Sequence, residues 1–355
     1  MAETLAELVP KIQNIFEFLS VHKEMIYDRV RTTAYRNAIF KVVRQGDVVV
    51  DLGTGTGLLA FLAVRAGASK VFAIEKTNII EVAKANARKM KIDDRIEFIT
   101  ADSRSVDLAE RVDVIVSEVI GHLVVEENML DSIIDSRDRF LKPDGKLVPC
   151  SAEVSFVPVE AEQVYGDEIE IWSDPVEDMD LSGSRDFAAS NIYLADFKEA
   201  NYLAEPQRLL NLDLTSVDSI EMSLKGSYEV ARNGVLHGLA GWFVAKLFDS
   251  IEISTAPTGE PTHWKQCFLP VESPVVVRRG DIVSFNFMSR TMGDDVEIEW
   301  QIKSDRFGLL SQSSTNRSRT TLQNERSFSL RSLWLNSAAT STTEAVARSL
   351  TSVES

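Results

Sequence analysis

Glu118 and Glu127 stand nine residues apart in the stretch Ser117-Glu118-Val119-Ile120-Gly121-His122-Leu123-Val124-Val125-Glu126-Glu127-Asn128-Met129-Leu130. They follow an apolar run at 112–116 that reads as a buried strand. Two carboxylates at the end of a central strand are costly to keep unless they have a cation to hold. Glu126 adjoins Glu127 and is the alternative second carboxylate; its bland reading is a solvated side chain.

A second group of chemistry-bearing residues precedes them. Asp51-Leu52-Gly53-Thr54-Gly55-Thr56-Gly57 lies between a Val-rich run and an Ala/Leu-rich run. Glycines there permit positive φ and close approach of backbone to a ligand. The dinucleotide fingerprint G-x-G-x-x-G fails, because position 58 is Leu. Glu75 ends the next predicted strand, where a carboxylate can accept from both hydroxyls of a ribose. Asp102 and Ser103 follow the third strand and are placed to hold an adenine amino group. Taken singly, Asp51 reads equally as a helix-capping acid and Glu75 as a solvated strand end.

The elements that must position these groups follow a regular alternation. Apolar runs at 48–51, 71–75, 96–100, 112–116 and 146–149 predict strands, and residues 79–90 carry a helical pattern. Strand and helix in alternation predict an α/β, doubly wound parallel sheet. Ligands bind outside the carboxyl ends of strands in such sheets, which is where the glycine turn falls. Residues 1–45 read as two helices, with Met25, Tyr27, Val30, Ala34, Ile39 and Phe40 near helical spacing. Beyond 149, short β-rich runs at 153–159, 219–225, 241–248, 275–277 and 282–288 predict an antiparallel β domain. It is interrupted by a partly helical arm at 172–207. The predicted organisation is therefore 1–45 helices, 46–149 cofactor domain, 150–310 β domain and 311–355 a mobile Ser/Thr-rich tail.

At 355 residues and 44% hydrophobic, the chain can bury two cores. No apolar run reaches the roughly 18 residues a membrane-spanning helix needs, and the N-terminus does not read as a signal peptide. Two cysteines, Cys150 and Cys267, without metal-type spacing predict a cytoplasmic protein and no metal site. A formal net charge of -16 argues against a nucleic-acid surface and favours either plain solubility or a basic partner.

Asp51 with its three alternating glycines resembles motif I of class I S-adenosylmethionine-dependent methyltransferases. The stretch 117–130 narrows the likeness: with Glu118 and Glu127 it resembles the double-glutamate loop of protein arginine methyltransferases. Thr262-His263-Trp264 is similar to that family's Thr-His-Trp loop, and residues 22–32 resemble its cofactor-covering helix. The likeness spans about His22 to Ile302. It implies a Rossmann-like domain followed by an antiparallel β-barrel-like domain, with the arm making a homodimer. It implies S-adenosyl-L-methionine as cofactor, met by Arg31, Asp51, Gly53, Gly55, Gly57, Glu75, Asp102 and Ser103. It implies Glu118 and Glu127 as a guanidinium clamp, Asp28 and His263 as a proton-removing dyad, and Trp264 and Met25 at the substrate. Ile12 and Phe16 stand where the family has tyrosines, Val119 where it often has Trp, and Ile120 where it often has Met. These departures leave open mono- or dimethyl product, a free-arginine or other small guanidino substrate, and a catalytically silent binding protein of the same fold.

Overall fold

A computed structural model describes residues 18–124, 129–219, 221–292 and 295–314. The chain divides into two compact units, the first made of Met1–Val154, Leu210–Ile220 and Trp242–Lys265, the second of the remainder.

The first unit opens with α1 (Leu19–Tyr27) and α2 (Arg29–Val42). Asp28 separates them and caps α2, its Oδ1 accepting from the Arg31 N–H at 3.0 Å. The alternation then begins: β1 (Val48–Leu52), α3 (Leu58–Ala66), β2 (Lys70–Glu75), α4 (Ile80–Met90), β3 (Ile96–Thr100), β4 (Val112–Ser117), α5 (Met129–Phe140) and β5 (Leu141–Val148). The sheet order is β3-β2-β1-β4-β5, with every pairing parallel. Helices cover both faces of such a sheet, so its strands are apolar throughout rather than alternating; Val49, Val50, Val71, Ile74, Ile115 and Val116 are all buried. The order reverses between β1 and β4. In register, Asp51 sits beside Ala73 and Val116, and Leu52 beside Ser117. The carboxyl ends of β1, β2 and β4 therefore bring the glycine turn, Glu75 and Glu118 to one edge of the sheet, the binding edge of this topology.

The remaining strands are β6 (Ser151–Val159), β7 (Tyr193–Ala195), β8 (Gln207–Asp213), β9 (Met222–Glu229), β10 (Gly234–Phe248), β11 (Ile251–Ser254), β12 (Gln266–Val277), β13 (Ile282–Met292), β14 (Asp295–Ser304) and β15 (Gly308–Ser314). They form one sheet in the order β7-β12-β10-β6-β8, with β11 added to β10, and another in the order β15-β14-β13-β9. In the second unit, β10 and β12 approach so closely that a Cβ at Gly238 would lie 2.2 Å from the Leu269 carbonyl. A bulge there shifts the register between Leu236 and Gly238.

Five strands exceed the sequence expectation: β7, which lies inside the predicted arm, and β8, β11, β14 and β15. The last runs through Ser314, so Ser311–Ser314 is strand rather than tail; the predicted tail from 315 onward lies outside the described residues, as do Ile12 and Phe16. In the arm, the helical part consists of short pieces: 3₁₀ turns at Glu170–Ser173, Ser182–Ser184 and Glu199–Asn201, and a one-turn helix Arg185–Ala188.

Candidate active site

The glycine turn leaves β1 with Gly53, Gly55 and Gly57 at φ +73°, +53° and +95°. These are left-handed conformations that a side chain disfavours. Space is also short: a Cβ on Gly53 would lie 2.7 Å from Val119 Cγ1, and one on Gly55 2.7 Å from His22 Cε1.

Asp51 is buried beneath this turn. Its Oδ2 accepts from Thr54 Oγ1 at 2.6 Å and from Ala60 N at 2.8 Å. Its Oδ1 is buried with no partner among the described residues. Burial pushes the carboxyl up to about 6, against the pull of those two hydrogen bonds. Glu75 accepts from Gly55 N at 3.1 Å through Oε2 and from Thr77 N and Oγ1 at 2.9 and 2.8 Å through Oε1. Asp102 is gripped by the Arg104 fork, Nε to Oδ1 at 2.9 Å and Nη2 to Oδ2 at 2.7 Å. That grip is the main reason its carboxyl falls to about 2. Ser103 beside it is buried.

S-adenosylmethionine fits this edge. The orphaned Asp51 Oδ1 matches a cationic amino group.

Arg31 is buried, with Nε on Glu118 Oε2 at 2.7 Å, Nη2 on the same oxygen, and Nη1 on the Met25 carbonyl at 3.2 Å. The sequence reading gave Arg31 to the cofactor and Glu118 to a clamp; the fold joins the two directly. Among the described residues, Glu118 Oε1 has only a long 3.4 Å contact from Ile120 N. Beneath Arg31, the Tyr35 ring lies 5.8 Å from the guanidinium carbon, and its hydroxyl donates to the Ser117 carbonyl at 2.9 Å. Glu127 and Glu126 lie outside the described residues.

Asp28 and His263 meet as the resemblance implied. Asp28 Oδ2 accepts from His263 Nδ1 at 2.8 Å and from His263 N at 2.9 Å. Burial would raise the Asp28 carboxyl, but these bonds and the one from Arg31 N outweigh it and hold it below its ordinary value. Because the ionised carboxylate only accepts, this bond places hydrogen on Nδ1. Trp264 is buried, its Nε1 donating to the Ile120 carbonyl at 2.8 Å. Its ring lies 4.0 Å from that of His263 and meets Phe243 edge-on at 5.3 Å.

Three residues at the site had no role in the sequence reading. His22 is buried against Gly55, His122 bonds the Trp264 carbonyl, and Tyr35 braces β4 under Arg31. Isolated histidines and a helical tyrosine carry no motif of their own.

Residues 150–305 match the family model of the arginine methyltransferase oligomerization subdomain, and 31–150 match that of ribosomal protein L11 methyltransferase. The chain is 34% identical over 275 residues to protein arginine N-methyltransferase 6 of Xenopus tropicalis, spanning 74% of this chain and 81% of that one. It is 35% identical over 274 residues to the Danio rerio protein of the same name, spanning 73% and 78%. It belongs to the protein arginine N-methyltransferase family. Among solved structures, Arabidopsis thaliana protein arginine methyltransferase 10 superposes with a TM-score of 0.70 at 26% identity, covering 84% of this chain and 97% of that one. The Trypanosoma brucei PRMT1 enzyme–prozyme heterotetramer with AdoHcy gives 0.75 at 24%, covering 85% and 98%, and attests the family fold: a Rossmann-like domain with an antiparallel β domain.

Proposed function

We propose that the protein is an S-adenosylmethionine-dependent arginine N-methyltransferase that modifies guanidino nitrogens in proteins. The observation that carries this reading is the assembly of Glu118 with the Asp28–His263 dyad beside the glycine turn, within one unit. S-adenosylmethionine supplies, when bound, a methyl group on a positively charged sulfur.

Asp51, Gly53 and Gly55 would hold its amino-acid end together with Arg31, Glu75 the ribose hydroxyls, and Asp102 and Ser103 the adenine. A guanidinium is protonated at neutral pH, and its nitrogens are poor nucleophiles. Glu118, through the Oε1 that Arg31 does not take, and Glu127 grip two edges of the plane and draw its charge toward one nitrogen, leaving electron density on the other. Fixing that plane supplies orientation, the main requirement when the methyl group is already activated. His263 accepts through Nε2 the proton that the methylated nitrogen sheds, and Asp28 holds the ring in the required tautomer. Trp264 and Met25 line the substrate side. The acidic chain, at -16, attracts basic segments, which favours arginine-rich protein over free arginine.

Mass spectrometry of arginine-rich peptides incubated with cofactor should show gains of one or two methyl masses on arginine. Bound cofactor with no such gain would overturn the reading; faster turnover of free arginine would replace it with the small-guanidine version.

A homodimer through the arm is part of the same proposal. Trp172, Val176, Met179, Leu181 and Phe187 along it, and Ile171 just ahead of it, are all exposed large apolar side chains, the kind that an interaction surface buries. Removing residues 172–190 should halve the sedimenting mass; an unchanged mass would refute the arm's role. The cytoplasmic location also stays a proposal, supported by the two free cysteines.

A further inference from the structure

Two tight turns in the first unit carry the chemistry, and each ends in a strained residue. The turn at 121–124 closes with Val124 N donating to the Gly121 carbonyl at 3.1 Å, and the turn at 262–265 closes with Lys265 N donating to the Thr262 carbonyl at 3.2 Å. Val124 has φ +71° and Lys265 φ +52°. A β-branched residue in the left-handed region is an outlier that persists only where its surroundings over-determine it. Here the surroundings are each other. Trp264 Nε1 donates to the Ile120 carbonyl at 2.8 Å, and the Trp264 carbonyl accepts from His122 Nδ1 at 2.9 Å. The two turns are strapped by a reciprocal pair of bonds, one running each way.

We propose that His122 is a positioning residue for methyl transfer: its Nδ1–H, by holding the Trp264 carbonyl, sets the turn of His263 in register with the loop of Glu118. Glu118 lies two residues before one strap point and His263 one residue before the other, so a shift of either turn misplaces clamp against base. The carbonyl accepts only, so Nδ1 must carry hydrogen. Burial lowers the ring to about 4, which leaves it neutral and of a single tautomer at physiological pH. Its δ nitrogen is spent on the strap, and its work is done through Trp264 and His263. The catalytic half of this inference rests on the arginine-methyltransferase reading; the strap does not.

The test uses the full chain and three variants. His122→Asn keeps a donor where Nδ1 stands, His122→Gln moves it to the ε position, and His122→Leu removes it. Peptide methylation is measured alongside cofactor affinity by calorimetry and the ¹⁵N indole resonance of Trp264, assigned with Trp264→Phe. His122→Leu should lose kcat by roughly ten- to a hundredfold, the scale of a displaced catalytic group, while cofactor affinity stays at the wild-type level. Its Trp264 resonance should shift and exchange faster. His122→Asn should recover to within a few-fold, and His122→Gln should not. Wild-type kcat in His122→Leu, or equal loss in Asn and Leu, overturns the inference; if Leu does not fold, the Asn-against-Gln contrast decides it. A wild-type protein that methylates no arginine fails the parent reading alone, because the indole resonance reads the strap without substrate.

Discussion

Asp51, Glu75 and the three glycines of the turn come from one β-α-β unit, whereas Asp28, Glu118 and His263 come from three segments far apart in the chain. The proposed cofactor edge is therefore built by local backbone: left-handed glycines, strand ends in parallel register, and carboxylates tied to nearby N–H groups. The proposed substrate edge is built by side chains across long sequence separations, such as Asp28 to His263, and Arg31 to Glu118 joins it to the cofactor edge. Damage to the first should appear as lost affinity and stability. Damage to the second should appear as lost turnover in a protein that still folds, with binding weakened only where Arg31 loses its partner.

The sharpest way to break this contrast is at the clamp. Glu127→Gln should lower kcat about a hundred- to a thousandfold, the scale of removing a preorganised charge partner, with cofactor affinity unchanged by calorimetry. Full activity in that variant would end the clamp. Glu118→Gln should lose turnover similarly and also weaken cofactor binding, because Arg31 loses its ionic partner; loss of binding alone would move Glu118 to the cofactor edge.

The second test uses pH. With Asp51 raised to about 6, the folded chain holds a proton that the unfolded chain has already lost at more acidic pH. The stability from this group is present in acid and fades as pH rises through about 6. Binding runs the other way: an ammonium guest needs the ionised carboxylate, so affinity should weaken as pH falls below about 6. Asp51→Asn should flatten both slopes and cost roughly tenfold or more in affinity; an unchanged binding slope would remove Asp51 from the cofactor's amino group.

The smallest effect is expected at Gly55→Ala. A left-handed φ of +53° and a Cβ within 2.7 Å of His22 should cost about 1–2 kcal/mol in urea unfolding. At saturating cofactor its kcat should be close to wild type; a loss as large as that of Glu127→Gln would erase the distinction between the two edges.

The same difference explains what could be read from the chain in advance. Buried parallel strands are continuous apolar runs, so β1 to β4 were legible nearly to the residue, and the glycine turn announces itself through spacing. β14 offers no such run: its signal is an alternation in which Ile298, Trp300 and Ile302 point inward and Glu299, Gln301 and Lys303 do not. β7 and β11 are too short to carry a period. The Asp28–His263 pair was legible only through family likeness. The Arg31–Glu118 pair and the His122 strap were not legible, since partners 87 and 142 residues apart leave no local pattern.

Asp28 divides its two oxygens between unlike tasks, Oδ1 closing the start of α2 and Oδ2 aligning His263. One carboxylate thus ties the first turn of α2 to the orientation of the His263 ring. In the mechanism proposed above, a disturbance at the start of that helix would also unseat the imidazole, so helix geometry and base alignment would fail together.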